Sequence, residues 1–139
     1  MASVRREKMA SPRDTRPARV ASQLRQELAR QLARELGDPR LEAVIVASVS
    51  MTTDLRLARV YWRLADAPSL GADLERRKEA TQRGLEKATG RVRRAATARL
   101  GLRFAPELRF EYDAGQEARD RIDQLLDEVA SDAARGGPR

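Results

Sequence analysis

The apolar residues of this chain change their spacing at Pro39, and that change limits the fold more than any other feature. Before it, Val20, Leu24, Leu28, Leu32 and Leu36 recur every fourth residue. This spacing places them on one side of a helix, with Ser22, Gln26, Arg30 and Arg34 opposite. Pro17 suits the first helical turn. Gly37 can cap the end in the left-handed region, and Asp38-Pro39 forbids continuation. After Pro39 the period falls to two. In Val44 to Thr52, Ile45, Ala47, Val49 and Met51 point one way, and Val44, Val46, Ser48, Ser50 and Thr52 the other. In Arg56 to Leu64, Ala58, Val60, Trp62 and Leu64 alternate with Leu57, Arg59, Tyr61 and Arg63. The short Thr53-Asp54 connection makes these two strands an antiparallel hairpin. A helix followed by a hairpin calls for an α+β layer fold.

The remaining chain completes one domain. Ala65 to Ala72, with Pro68 and Gly71, reads as a loop. A second helix is expected from about Asp73 to Ala88, with Leu74, Thr81, Leu85 and Ala88 inward. Gly84 stands beside them, a place for close approach by another segment. Gly90 interrupts the pattern, since glycine costs a helix roughly 1 kcal/mol relative to alanine and often marks a kink. A third helix follows from Arg91 to Leu100, with Val92, Ala96 and Leu100 inward, and Gly101 ends it. Glu107 to Asp113 reads as a third strand with Leu108, Phe110 and Tyr112 inward. Gln116 to Ala130 reads as an amphipathic helix carrying Ile122, Leu125, Leu126 and Val129. The expected divisions are a disordered basic arm over 1–16, a folded domain over 17–130 and a flexible tail over 131–139. Aromatic residues are only 4% of the 139, so Leu, Val and Ala must fill the core.

Charge narrows the function. The net charge is +7 and the pI about 10.8, values that suit a polyanionic partner. Glu75 to Arg103 holds ten basic residues against three acids, whereas Gln116 to Asp132 holds six acids against two arginines. Segregation of this kind is what a one-sided phosphate site requires. On the second helix Arg76, Arg83 and Lys87 fall within about 40° of one another at 100° per residue. Arg91, Arg93 and Arg94 lie off the inner face of the third. The chain has neither histidine nor cysteine, which removes the usual general base, the thiolate nucleophile and the commonest zinc ligands. We therefore expect no catalytic residues, no metal and no cofactor. No apolar run approaches the roughly 20 residues that span a bilayer, and Met1 to Arg19 has no apolar stretch suited to a signal peptide. The expected location is cytoplasmic, with no membrane partner and no small-molecule substrate.

The element order α-β-β-α-kink-α-β matches the bacterial-type (type II) KH arrangement, an RNA-binding fold, here with an additional C-terminal helix. The usual Gly-x-x-Gly loop is absent. Ala88-Thr89-Gly90 instead resembles the Ala-x-Gly kink of ribosome-binding factor A. Arg19-Val20, Asp38-Pro39-Arg40-Leu41, Thr53-Asp54-Leu55 with Ala58 and Val60, Gly84-Leu85, Arg93, Leu102-Arg103, Pro106, Leu108, Phe110 and Asp113 extend the resemblance over about Arg16 to Val129. The departures are the long basic arm and the alanine-rich Ala95-Ala96-Thr97-Ala98. The resemblance implies a ribosome assembly factor that binds the immature small (30S) subunit, assists late maturation and processing of 16S rRNA, and is associated with growth in the cold. It implies a protein that is monomeric when free and is not an enzyme. RNA contacts are then expected at Lys87, Arg91, Arg93, Arg94, Arg99 and Arg103, with Arg76 and Arg83 in support. Ala88, Thr89 and Gly90 would shape the kink.

Three other readings compete. Glu107, Glu111 and Asp113 could serve as catalytic carboxylates, but they alternate with inward residues and so form a polar outer strand face. A general nucleic-acid-binding protein, of nucleoid or DNA-binding type, could present the helix-kink-helix as a helix-turn-helix. The acidic last helix could instead serve a protein-interaction module.

Overall fold

The computed structural model describes residues 8–11, 15–34, 37–115 and 125–130. Helix α1 (Thr15–Arg34) starts two residues ahead of Pro17, leaving that proline in the first turn. Val20, Ala21, Leu24, Leu28 and Leu32 are all buried, as their spacing requires; Leu36 lies outside the described residues. A 3-10 turn at Pro39–Leu41 reverses the chain. Asp38 fixes it by accepting hydrogen bonds from the Arg40 backbone N–H at 2.9 Å and from Arg40 Nη2 at 2.7 Å. Strands β1 (Val44–Met51) and β2 (Leu57–Leu64) then pair antiparallel. The Thr52 hydroxyl closes their turn, donating to Asp54 at 2.7 Å and accepting from the Leu57 N–H at 3.1 Å.

The two strands do not alternate as simply as the sequence suggests. The register slips between Val46 and Ser48, so that Val46 faces Trp62 while Val49 faces Val60 and Met51 faces Ala58. An extra residue in one strand reverses the parity of everything beyond it. The bulge at Ala47 therefore moves Val46 onto the face of Val49 and Met51, correcting the assignment of Val46 to the side of Ser48 and Ser50. Without it, Val44 and Val46 could not share the core with Met51.

The stretch expected as a loop contains a one-turn helix, α2 (Ala67–Leu70), and a 3-10 turn at Gly71–Asp73. Helix α3 (Leu74–Leu100) follows as 27 residues without interruption. The expected break at Ala88-Thr89-Gly90 is thus not present. Gly90 is exposed, and a Cβ there would meet only Arg94 Nη1 at 3.6 Å. Its cost of roughly 1 kcal/mol is small beside the burial of Thr81, Leu85, Val92 and Ala96 along one side of the same helix. The close approach falls instead at Gly84, where a Cβ would lie 3.3 Å from both Arg40 Nε and Leu41 Cδ2. Beside it, the buried Thr81 hydroxyl donates to the Arg40 carbonyl at 3.2 Å.

Strand β3 (Glu107–Tyr112) returns parallel to β2, completing a mixed sheet of order β1-β2-β3. Its Leu108, Phe110 and Tyr112 align with Ala58, Val60 and Trp62. Helix α1 packs on β1, α3 on β3, and the helices touch each other. The arrangement is α+β with a type II KH-like order. Gln82 ties its parts together, accepting from Trp62 Nε1 at 3.0 Å and donating to the Phe110 carbonyl at 2.8 Å.

The N-terminal segment differs from expectation where it is described, and the C-terminal segment is helical as expected. The Ala10 N–H donates to Met51 O at 2.9 Å and the Thr53 N–H to Lys8 O at 3.0 Å, and Met9 bridges Thr52. Residues 8–10 thus extend the hairpin end and are not part of a disordered arm; residues 1–7 and 12–14 of that arm lie outside the described residues. At the other end, residues 125–130 are helical, but Leu125, Leu126 and Val129 are exposed. This stretch adds nothing to the core. Ile122 and the 131–139 tail lie outside the described residues.

The α1–α3 contact contains a buried carboxylate. Glu27 accepts from Gln31 Nε2 at 3.1 Å and Arg30 Nη2 at 3.3 Å, and Arg99 Nε lies 3.4 Å away. The Gln31 hydrogen bond, helped by the two guanidinium charges and opposed by burial, holds its pKa below the usual glutamate value.

Two outcomes follow from this packing. In urea denaturation, Gly90→Ala should stabilise the protein by up to about 1 kcal/mol, whereas Gly84→Leu should destabilise it by about 1–3 kcal/mol through overpacking against Arg40 and Leu41. A destabilised Gly90→Ala would mean that the helix needs glycine to pass this point. For Glu27, a depressed folded pKa gives stability that is complete above the ordinary glutamate value of about 4.3 and is lost as pH falls through the lower folded value. Thermal melts should therefore show Glu27→Gln less stable than the parent near neutrality, with the gap closing in acid. A gap that is constant with pH would remove the carboxylate from the account.

Candidate nucleic-acid interface

Because the inner side of α3 is buried, its opposite side must face solvent, and that side is basic. At 100° per residue, Arg76, Arg83, Lys87 and Arg94 lie within about 40° of one another, with Arg91 about 40° further round. All five are exposed. Continuity of the helix joins what would have been two patches into one stripe. From Arg76 to Arg94 it runs about 27 Å at 1.5 Å per residue. Ala80, Gly90 and Ala98 lie along or beside it, so little side-chain bulk stands between the cations. Arg76 has a loose pair with Asp73 at 3.8 Å. Arg83, Arg91 and Arg94 make no ion pair with any described residue. Glu79 and Glu86 border the stripe on one side only.

The other expected contacts are placed differently. Arg93 is half-buried and points away from the stripe. Its Nε donates to the Pro106 carbonyl and its Nη2 to the Ala105 carbonyl, both at 2.8 Å. These bonds clamp the loop before β3 onto the helix, so Arg93 serves the fold here rather than offering its guanidinium to a ligand. Arg99 lies beyond the stripe on the α1 side, held by Glu27. Arg103 is exposed in the loop after α3, its guanidinium 5.4 Å from the centre of the Phe104 ring. Ala88 packs against the core. The Thr89 hydroxyl donates to the Leu85 carbonyl at 2.8 Å, within the helix. The Ala88-Thr89-Gly90 segment thus forms part of the rod that carries the stripe.

Phe104 was not foreseen. It is 63% exposed, although a sequence with so few aromatics suggests that each would be spent in the core. The available signal was its position: it precedes the alternation that begins at Leu108, and it follows an arginine.

The helix-turn-helix reading loses its geometry. A helix-turn-helix needs two helices across a turn, and α3 has none. Of the three carboxylates on or beside β3, Glu107 is exposed 3.6 Å from Arg109 Nε, while Asp113 uses its N–H to continue the sheet at Trp62 O. Among the described residues, no helix is long and apolar enough to cross a membrane, and no cluster of three or more His, Cys, Asp or Glu could hold a metal ion.

Comparison with known proteins agrees with the order of elements. The family model described as ribosome-binding factor A matches residues 16–126. The ribosome-binding factor A of Sorangium cellulosum (strain So ce56) is 43% identical over 114 residues, covering 82% of this chain and 88% of that protein. The crystal structure of ribosome-binding factor A from Thermus thermophilus superposes with a TM-score of 0.57 at 27% identity, over 69% of this chain and 94% of that one. A homology model of the Thermus thermophilus factor, fitted into a cryo-EM map of a 30S–RbfA complex, matches with a TM-score of 0.52 at 26% identity, over 68% and 92% of the two chains. This chain belongs to the ribosome-binding factor A family.

Proposed function

We propose that this protein binds the immature small ribosomal subunit through the basic stripe of α3 and assists late maturation of 16S rRNA. The observation that carries the proposal is the continuous exposed row Arg76, Arg83, Lys87, Arg91 and Arg94 on the side of α3 turned away from the core. Guanidinium groups pair with phosphate oxygens in fixed bidentate geometry. A row of them on a rigid helix fits a phosphate backbone better than it fits an isolated anion. Membership of the family supports the subunit as the source of that backbone, since the related Thermus thermophilus factor has been fitted into a 30S complex. The protein acts by binding and not by catalysis. It has no histidine or cysteine, so the usual nucleophile–base pairs cannot be built. Arg103 extends the positive field past the C-terminal end of α3, with Arg93 bracing the loop that follows it, while Arg99 adds charge on the α1 side, where Glu27 holds it. The free protein acts as a cytoplasmic monomer.

In a sucrose gradient at low salt the protein should travel with free small subunits, and duplex DNA should compete poorly. Log affinity should fall linearly with log salt, by roughly 0.7–0.9 per phosphate neutralised. The Arg83→Ala, Arg94→Ala double variant should melt within a few degrees of the parent, because exposed charges contribute little to stability. It should bind subunits more weakly, with the salt slope shallower by roughly 1.5. Unchanged affinity and slope in this variant would place the RNA face elsewhere on the molecule.

A further inference from the structure

We infer that Phe104, with Arg103 beside it, is a stacking platform for an unpaired RNA base at the C-terminal end of the α3 stripe. The inference rests on the RNA-binding reading and adds a preference for unpaired over duplex RNA. Phe104 differs from the other aromatic residues, of which Trp62 and Phe110 are buried and Tyr61 and Tyr112 half-buried. Exposing a phenyl ring on a pliable loop would be unremarkable, but this loop is held on both sides. Gly101 ends α3 in the left-handed conformation at φ +63°, and its N–H and that of Leu102 bond back to the Ala98 and Thr97 carbonyls. Arg93 grips the carbonyls of Ala105 and Pro106. The Pro106 side chain is fully buried, and the Glu107 N–H enters the sheet at Arg56 O. The chain on either side of Phe104 is fastened while its ring is left in water.

Position and charge indicate what the ring meets. The clamping residue, Arg93, is adjacent to Arg94 of the stripe. Its helical neighbours at i−3 and i+4, Gly90 and Thr97, put little bulk between stripe and loop. A strand whose phosphates follow the stripe would arrive at Phe104 with its bases free to turn. The Arg103 guanidinium lies over one face of the ring, 5.4 Å from its centre, so a base would stack on the opposite face with the cation backing the ring. Base–aromatic stacking needs an exposed π-face on both partners, which a duplex hides and a single strand offers.

The test uses the full chain with a single-stranded oligoadenylate, an adenylate–uridylate duplex of equal length, and small subunits. Phe104→Ala should melt like the parent and lose roughly ten- to hundredfold in affinity for the single strand, with the salt slope and duplex binding unchanged. Phe104→Trp should keep the affinity, and its emission should be quenched by the single strand and not by the duplex; Trp62 is buried and gives a constant background. If Phe104→Ala binds the single strand normally while Arg83→Ala, Arg94→Ala does not, the platform is overturned and the stripe survives. If neither variant loses affinity, the RNA reading itself fails. If Phe104→Ala binds oligoadenylate normally but loses the subunit, the ring meets a ribosomal protein and the platform is likewise overturned.

Discussion

Parallel pairing of β2 and β3 is the constraint on which the rest of this structure depends. Parallel neighbours cannot be joined by a tight turn, so the chain must travel back along the sheet before it can add β3. Helix α3 makes most of that journey, about 40 Å at 1.5 Å per residue. A helix that crosses a sheet in this way has one side committed to the core. Here Leu85, Val92 and Ala96 occupy that side, with Thr81 and Gln82 hydrogen-bonded to the 3-10 turn, β2 and β3. The other side is released to solvent over the same length. A long linear array of cations is thus a consequence of topology, and the sequence needs only to put arginine and lysine at the outward positions.

Much of this was legible in the chain itself. Spacing of four and then two gave α1, β1 and β2 to within a residue or two, because the buried faces of α1 and β2 repeat without interruption and the bulge in β1 leaves its ends in place. The errors fall where a local signal competes with tertiary packing. Gly90 reads as a break because isolated helices are weakened by glycine, yet packing on both sides of it keeps one helix intact. Ala47 reads as one more alternating residue, since a bulge adds a residue without changing the composition of the strand. Only pairing with β2 shows that Val46 must change sides. The short helix at Ala67–Leu70 was hidden by Pro68 and Gly71, which signal a loop as readily as a single turn.

The candidate interface was legible as charge and not as geometry. Counting arginines located a basic segment, but a count does not distinguish an arginine left in water from one already engaged by the protein. Arg93 and Arg94 are adjacent and chemically identical, and 100° of helical rotation separates their surroundings. Arg94 enters the stripe, whereas Arg93 meets two backbone carbonyls left unpaired by the turn into β3. Arg99 lies against Glu27 because α1 passes there. Phe104 was missed for the converse reason. Hydropathy assigns phenylalanine to the interior, and only the clamps on either side of it reveal that the loop holds it out.

The stripe also has an energetic cost, which bears on how it works. Arg83 with Lys87 and Lys87 with Arg91 are like charges four residues apart, and Arg91 with Arg94 three apart. Each such pair destabilises a helix by roughly 0.2–0.5 kcal/mol, and Gly90 adds roughly 1 kcal/mol. Burial of Leu85 and Val92 alone, at about 1.5–3 kcal/mol each, outweighs that sum. The helix therefore holds its cations in line without a ligand, sustained from the opposite side. A polyanion along the stripe would turn the repulsion between neighbouring cations into shared attraction. Its binding free energy would then include relief of strain already present in the free protein, with no need to order the helix first. A flexible basic tail of the same charge would have to lose conformational freedom on binding. Placing the cations on the crossover helix of a packed sheet avoids that loss, and this would be the physical advantage of a phosphate-binding surface built into the fold.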